Sequence, residues 1–196
     1  MSRTEIRITG FGGQGVILAG HIIGRACAVE GGMHATLIQS FGPEARGSAC
    51  SATLAVSNRE VLYPYIRERS DIFVVMSSEG YELHAHELKE DGILIFEKDL
   101  VQPTPAPGQR AFGVSSTRIA EGQGRSIVQN IVMVGFFTAA TRIVPRDAMR
   151  EAVKASVPPG TEELNLRAFD AGWAAFETDH ASSPAEPVGA AARGSS

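Results

Sequence analysis

The chain has 196 residues, of which 43% are hydrophobic and 20% charged, and its formal net charge is -4. That length suits a single domain, and the apolar share is enough for a buried core, which excludes wholesale disorder. The 18 basic and 22 acidic residues form no basic stripe, so nucleic acid is not an expected partner.

The elements follow in chain order. Residues 5–9 (EIRIT) alternate and read as a first strand. A glycine-rich turn over 10–15 follows. A helix over 14–29 then carries Val16, Ile17, Ile22, Ile23 and Ala26 at helical spacing and stops at Gly31-Gly32. A second strand spans 33–41, and the loop GPEARGS leads to a third strand over 49–57. Strand, helix, strand is the unit that pairs parallel strands through a right-handed crossover. The continuous apolar run 71–76 (DIFVVM) reads as a buried central strand. Ser77 or Ser78 caps a helix with Glu79 and Glu82 in its first turn, ending near Glu90 at Asp91-Gly92, and 93–96 (ILIF) is a further buried strand. Pro103, Pro105 and Pro107 make 102–110 an extended connection. The most apolar helix covers 126–143, broken by Pro145, and amphipathic helices follow over 146–156 and 161–177. From residue 178 the sequence loses periodicity and reads as a disordered tail. The expected fold is α/β: a Rossmann-like, open, mostly parallel sheet with helices on both faces, in one domain over residues 3–177.

Several classes of function lose ground on residue grounds. Cys27 and Cys50 are the two cysteines, and an iron–sulfur cluster normally takes four thiolates. Nor do they make a disulfide scaffold, so a cytoplasmic setting is expected. The N-terminal stretch has no apolar signal core, and the apolar run 131–140 is too short to span a bilayer. His84 and His86, two apart on a helix, face different sides and make no helical metal pair. No G-x-S-x-G elbow and no Walker lysine occur.

What remains is a ligand loop. Gly10, Gly12 and Gly15 satisfy G-x-G-x-x-G between a strand and a helix, with Gly13 and Gln14 inside it. Such a loop lets the backbone approach an anion and offers the unpaired N–H groups of a helix start. A dinucleotide site also needs a carboxylate at the end of the second strand, but that strand ends Gln39-Ser40-Phe41. This argues against NAD and leaves a phosphate-bearing ligand of another kind, or an empty structural turn. Arg46, in the loop after Phe41 and Gly42, either clamps a phosphate or a partner's carboxylate, or pairs with Glu44. Gln14 either donates to a ligand or caps the turn. Asn130, a polar residue on an apolar helix, is either a core tie or a site residue.

Taken together, Gly10-Phe11-Gly12-Gly13-Gln14-Gly15-Val16 and Gln39-Ser40-Phe41-Gly42-Pro43-Glu44-Ala45-Arg46-Gly47 resemble the gamma subunit of 2-oxoacid:ferredoxin oxidoreductases, over about residues 3–177. The resemblance implies a complex that decarboxylates a 2-oxoacid on thiamine diphosphate and oxidises the adduct through iron–sulfur clusters. It also implies that the complex passes the acyl group to coenzyme A and the electrons to ferredoxin or another acceptor. Thiamine diphosphate, magnesium and 4Fe–4S clusters are then expected in companion alpha, beta and ferredoxin-like delta chains. The gamma chain is expected to hold coenzyme A through Gly10, Gly12, Gly13, Gln14, Gly15, Phe41, Gly42, Arg46 and Asn130, with no catalytic residue and no metal of its own. The G-P-E-A-R-G loop resembles the 2-oxoglutarate branch more than the pyruvate branch. Aryl-glyoxylate and indolepyruvate enzymes, and a stand-alone NAD(P)-dependent oxidoreductase, are the alternatives. The sequence departs from the family after Arg46, where Gly47-Ser48-Ala49 replaces Gly-Gly and a small residue. A lysine of the pyruvate branch near His21 is absent.

Overall fold

In a computed structural model, which describes residues 3–41, 49–61 and 69–180, the first strand β1 runs Thr4–Phe11. Its alternation sends Ile6 and Ile8 into the main core, whereas Arg7 turns to the opposite face. Helix α1 (Val16–Arg25) follows the glycine turn and continues into a π-helical turn, Ala26–Glu30, which Gly31 ends. Strands β2 (His34–Phe41), β3 (Ala49–Ser57) and β4 (Ser70–Val75) come next. The order across the six-stranded sheet is β2-β3-β1-β4-β5-β6, with β5 at Leu88–Glu97 and β6 at Arg110–Val114. Every neighbouring pair is parallel except those that include β3.

The expected parallel pairing of the first two strands is corrected here. They run in the same direction but do not touch. β3 lies between them and pairs antiparallel with both, from Thr4 opposite Val56 to Phe11 opposite Ala49, and from His34 opposite Ser57 to Phe41 opposite Cys50. The reason is packing. Helix α1 lies on β3, where Ala52 and Leu54 meet Gly20, so the crossover spans two strand spacings.

A second correction concerns the helix expected to reach Glu90. Helix α2 (Ser78–His84) is capped by Ser77, whose hydroxyl accepts from the Gly80 N–H at 3.1 Å, and it gives way at once to a 3-10 turn, Ala85–Glu87. Glu87 turns inward to Arg7 and His84, and the buried Leu88 already belongs to β5. Asp91-Gly92 therefore lies inside the strand, where its register against β4 slips.

Strand β6 and helix α3 (Ser116–Gly122) were not expected from sequence. The start of α3 is held by a remote group. The buried Glu97 carboxylate accepts from the Ser116 hydroxyl and, at 3.3 Å, from the Thr117 N–H.

Helix α4 (Gln129–Thr141), preceded by a 3-10 turn at Ser126–Val128, is buried from Asn130 to Thr141 and forms the centre of the core. Ile127, on the 3-10 turn, is thrown outward at 71% exposure, while Val128 on the same turn is buried. Helices α5 (Arg146–Ser156) and α6 (Glu162–Asp179) complete that layer. α4 and α6 cross at Gly135 and Gly172, where a Cβ on either would lie 2.0 Å from a carbonyl oxygen of the other helix. The sheet is thus covered unequally. One face carries α1 and α3–α6 over the large core, and the other carries α2 over a small cluster around Phe73, Val75 and Leu94. Residues 181–196 lie outside the described part, and α6 itself runs two residues beyond its expected end. No helix among the described residues is long and apolar enough to cross a membrane.

Candidate functional site

The glycine turn lies at the carboxyl end of β1, beside the end of β4. Here the chain connections diverge to the two sides of the sheet, which is where open α/β sheets bind ligands. The turn is built tightly. The Gln14 N–H donates to the Phe11 carbonyl at 3.1 Å, and Gly13 and Gly15 adopt left-handed backbones at φ 99° and 74°. These conformations are strained for any residue with a Cβ. At Gly10 the constraint is space instead: a Cβ would come 2.6 Å from Gln14 Oε1 and 2.9 Å from Val16.

The two polar residues singled out in this region both act on the loop from inside. Gln14 Oε1 accepts from the Phe11 N–H at 2.7 Å, and its Nε2 donates to the Met76 carbonyl at 2.9 Å. The side chain therefore spans the gap between β1 and β4 as a brace and caps the turn. Asn130 is 3% exposed and donates through Nδ2 to the Gly15 carbonyl at 3.3 Å. It is packed so closely that a Cβ on Gly15 would lie 2.5 Å from it. This is the core tie of the two readings.

The loop's own amides point elsewhere. The N–H groups of Gly12, Gly13, Gly15 and Val16 have no acceptor among the described residues, and the first intrahelical bond is from Ala19 N to Gly15 O, 2.9 Å. Gly12 and Gly13 are exposed, and nothing lies within 4 Å of where a Gly13 side chain would begin. Unpaired N–H groups in a glycine turn and at the first residues of a helix are the kind of donors that anions accept from, and the helix dipole favours negative charge there.

Phe41 stands at the same edge of the sheet, 68% exposed, paired through β3 with the row that holds Gly10. Gly42 and Arg46 lie outside the described residues. On the α2 face the same edge opens into a groove of about 290 Å³, lined by Thr9, Ser40, Ser51, Glu79, Gly80 and His84 among others. His84 Nδ1 meets Glu87 Oε1 at 2.8 Å, and Glu87 also pairs with Arg7. Burial pushes the Glu87 carboxyl up, but the hydrogen bond to His84 and the charges of Arg7, His84 and His86 outweigh it and hold the group below the usual carboxylate range.

Met76, Thr9 and this groove were missed from sequence. The polar Ser77-Ser78 directly after an apolar strand was the available signal, since it marks a strand end at the ligand edge. Among the described residues no group of three or more histidine, cysteine or acidic side chains is placed to hold a metal ion. Burial pushes the Cys27 thiol up to about 12 and raises that of the half-buried Cys50.

A family model described as pyruvate ferredoxin/flavodoxin oxidoreductase matches residues 5–175. The 2-oxoglutarate synthase subunit KorC of Methanothermobacter thermautotrophicus is 46% identical over 177 residues, covering 87% of this chain and 93% of that protein. The solved gamma subunit of a keto/oxoacid ferredoxin oxidoreductase from Geobacter sulfurreducens superimposes with a TM-score of 0.78 at 34% identity, covering 89% of this chain and 99% of that one. The fold also matches part of a 2-oxoglutarate:ferredoxin oxidoreductase from Magnetococcus marinus, solved with 2-oxoglutarate, coenzyme A and succinyl-CoA bound. There the TM-score is 0.83 at 22% identity, over 95% of this chain and 32% of that one.

Proposed function

The chain belongs to the pyruvate ferredoxin/flavodoxin oxidoreductase family as a gamma-type oxidoreductase subunit, and from that we propose that it serves an enzyme converting a 2-oxoacid to its coenzyme A thioester. The substrate we assign is 2-oxoglutarate or a close relative, on the strength of the G-P-E-A-R-G loop and the 46% identity to a 2-oxoglutarate synthase subunit. This chain's share is to hold a phosphate of coenzyme A and to tie the complex together. Thiamine diphosphate, magnesium and iron–sulfur clusters, which supply the decarboxylation and electron transfer, belong in this reading to companion alpha, beta and delta chains, with ferredoxin or another acceptor taking the electrons. For an iron–sulfur cluster the thiolate chemistry here is unfavourable: the chain has two cysteines, and burial pushes the Cys27 thiol up to about 12.

The observation that carries the proposal is the run of unpartnered amides through the glycine turn into α1, those of Gly12, Gly13, Gly15 and Val16. A phosphate oxygen accepts from them without displacing any internal bond. Gln14 and Asn130 hold the loop in shape from behind, so the donors are in place before the ligand arrives. Glycine at position 13 keeps the approach clear. The exposed Phe41 ring offers an apolar surface beside the cradle, and Arg46 supplies a cation or an interface contact. The cofactor is thereby fixed by its tail while its thiol end remains free for chemistry on another chain.

The test is to co-purify the chain with the products of its neighbouring genes and to measure coenzyme A-dependent oxidation of 2-oxoacids with a viologen dye. Activity with 2-oxoglutarate, and a raised KM for coenzyme A in Gly12→Val, are expected. Absence of activity with every 2-oxoacid tried overturns the proposal, and an unchanged KM in the variant removes the loop from it.

A further inference from the structure

The outer edge of β2 is the least protected part of the sheet. The strand pairs with β3 on one side and with nothing among the described residues on the other, and its residues are exposed or half-buried along the whole length. Its sequence, HATLIQSF, contains none of the devices that usually blunt an edge: no proline, no lysine, no inward-pointing acid. Thr36, Leu37, Ile38 and Phe41 suit a pleated surface. An edge of this kind is a template for another strand.

Beside that edge runs a shallow groove between β2 and the outer side of α1, lined by Arg25, Ala28, Val29, Ala35 and Leu37. Val29 is 60% exposed at its rim. Arg25 stands where α1 passes into the π-helical turn. Its Nε is buried without a hydrogen-bond partner, and it makes no ion pair among the described residues. A half-buried guanidinium that lines a mostly apolar groove and has no ion pair among the described residues is matched by a carboxylate.

We infer that β2 and the Arg25 groove form a docking site for an extended segment of a companion subunit. That segment adds as a seventh strand, sets small apolar side chains against Val29 and Leu37, and places a carboxylate on Arg25. The inference rests on the subunit reading above. A second copy of this chain is the poorer occupant, because a β2–β2 pairing brings no acid from the strand to either guanidinium. The groove lies along Ala35, Thr36 and Leu37, toward the end of β2 away from Phe41, so its occupation leaves the amides of the glycine turn untouched.

Hydrogen exchange followed by mass spectrometry, on the isolated full-length chain and on the assembled complex, tests the inference. Peptides covering His34–Phe41 are expected to gain protection on assembly, while those covering the opposite edge, β6, serve as the control. Arg25→Glu and Val29→Asp, both at positions that are not fully buried, are expected to weaken assembly by about tenfold or more. Arg25→Lys is expected to retain part of it, with unchanged melting of the isolated chain. An active complex in which β2 exchanges as freely as in the isolated chain overturns the docking site while leaving the subunit reading intact. A homodimer already protected at β2, or variants that assemble like the parent, overturns it equally. If no companion co-purifies, both fall.

Discussion

Replacing Gly15 by alanine asks whether the cradle is held by backbone geometry and by Asn130, as the structure shows. Two costs act together. The residue's φ of 74° is left-handed, which costs an L-residue roughly 1–2 kcal/mol. The new methyl would also lie 2.5–2.9 Å from the Asn130 side chain, which is 3% exposed and therefore has little room to retreat. Overpacking of that kind costs roughly 1–3 kcal/mol. For a chain of this size each kcal/mol moves the melting temperature by roughly 2–4 °C, so Gly15→Ala is expected to lower Tm by on the order of 5–15 °C. The second part of the test separates the two costs. Asn130→Ala alone loses a long hydrogen bond and some packing. In the double variant the overlap with Asn130 Nδ2 and Cγ is gone, while the tight 2.9 Å approach to Cβ and the backbone strain remain, so the two substitutions are expected to be non-additive by on the order of 1–2 kcal/mol. Urea denaturation of the four proteins measures this cycle. A Gly15→Ala chain that melts within about 2 °C of the parent, or a double variant that is simply additive, would show that Asn130 does not hold the loop.

Three further outcomes follow from the same geometry. Gln14→Glu keeps an acceptor for the Phe11 N–H but cannot donate to the Met76 carbonyl, and it puts a negative charge behind the cradle. It is expected to destabilise the chain by about 1–3 kcal/mol and to raise the KM for coenzyme A in the assembled enzyme, measured by melting and by dye reduction. Because the folded-state pKa of Glu87 is lowered, its contribution to stability is present above its ordinary value of 4.5 and is lost as pH falls through the depressed one. Glu87→Gln is therefore expected to flatten the acid limb of a stability–pH curve, and an unchanged limb would contradict the Arg7–Glu87–His84 arrangement. In the native chain at pH 8, a thiol reagent is expected to reach Cys50 slowly and Cys27 only on unfolding, since Cys27 is buried with its pKa near 12. Equal labelling of both would refute that burial.

Local chemistry made much of this molecule legible from its residues. Third strand and fifth helix were bounded correctly because alternation over 49–57 and the amphipathic pattern over 146–156 are complete within the segment. The glycine turn was placed between strand and helix for the same reason. What failed did so where a remote group decides. β3 lies between β1 and β2 because α1 packs on it, and no window of sequence contains both surfaces. The end of α2 depends on Glu87 turning to Arg7, 80 residues away in the chain. α3 starts where the buried Glu97 receives it.

The candidate site divides along the same line. Glycines at 10, 13 and 15 and the missing carboxylate at the end of β2 are properties of the sequence alone, since backbone freedom and residue charge need no context to be read. The internal partners of Gln14 and Asn130 came only from the fold, because each lies far along the chain: the Met76 carbonyl for one, the Gly15 carbonyl for the other. An amide side chain has both donor and acceptor and is equally at home against a ligand or against the protein. Only the packing of β4 and α4 against the turn engages both residues in bracing it.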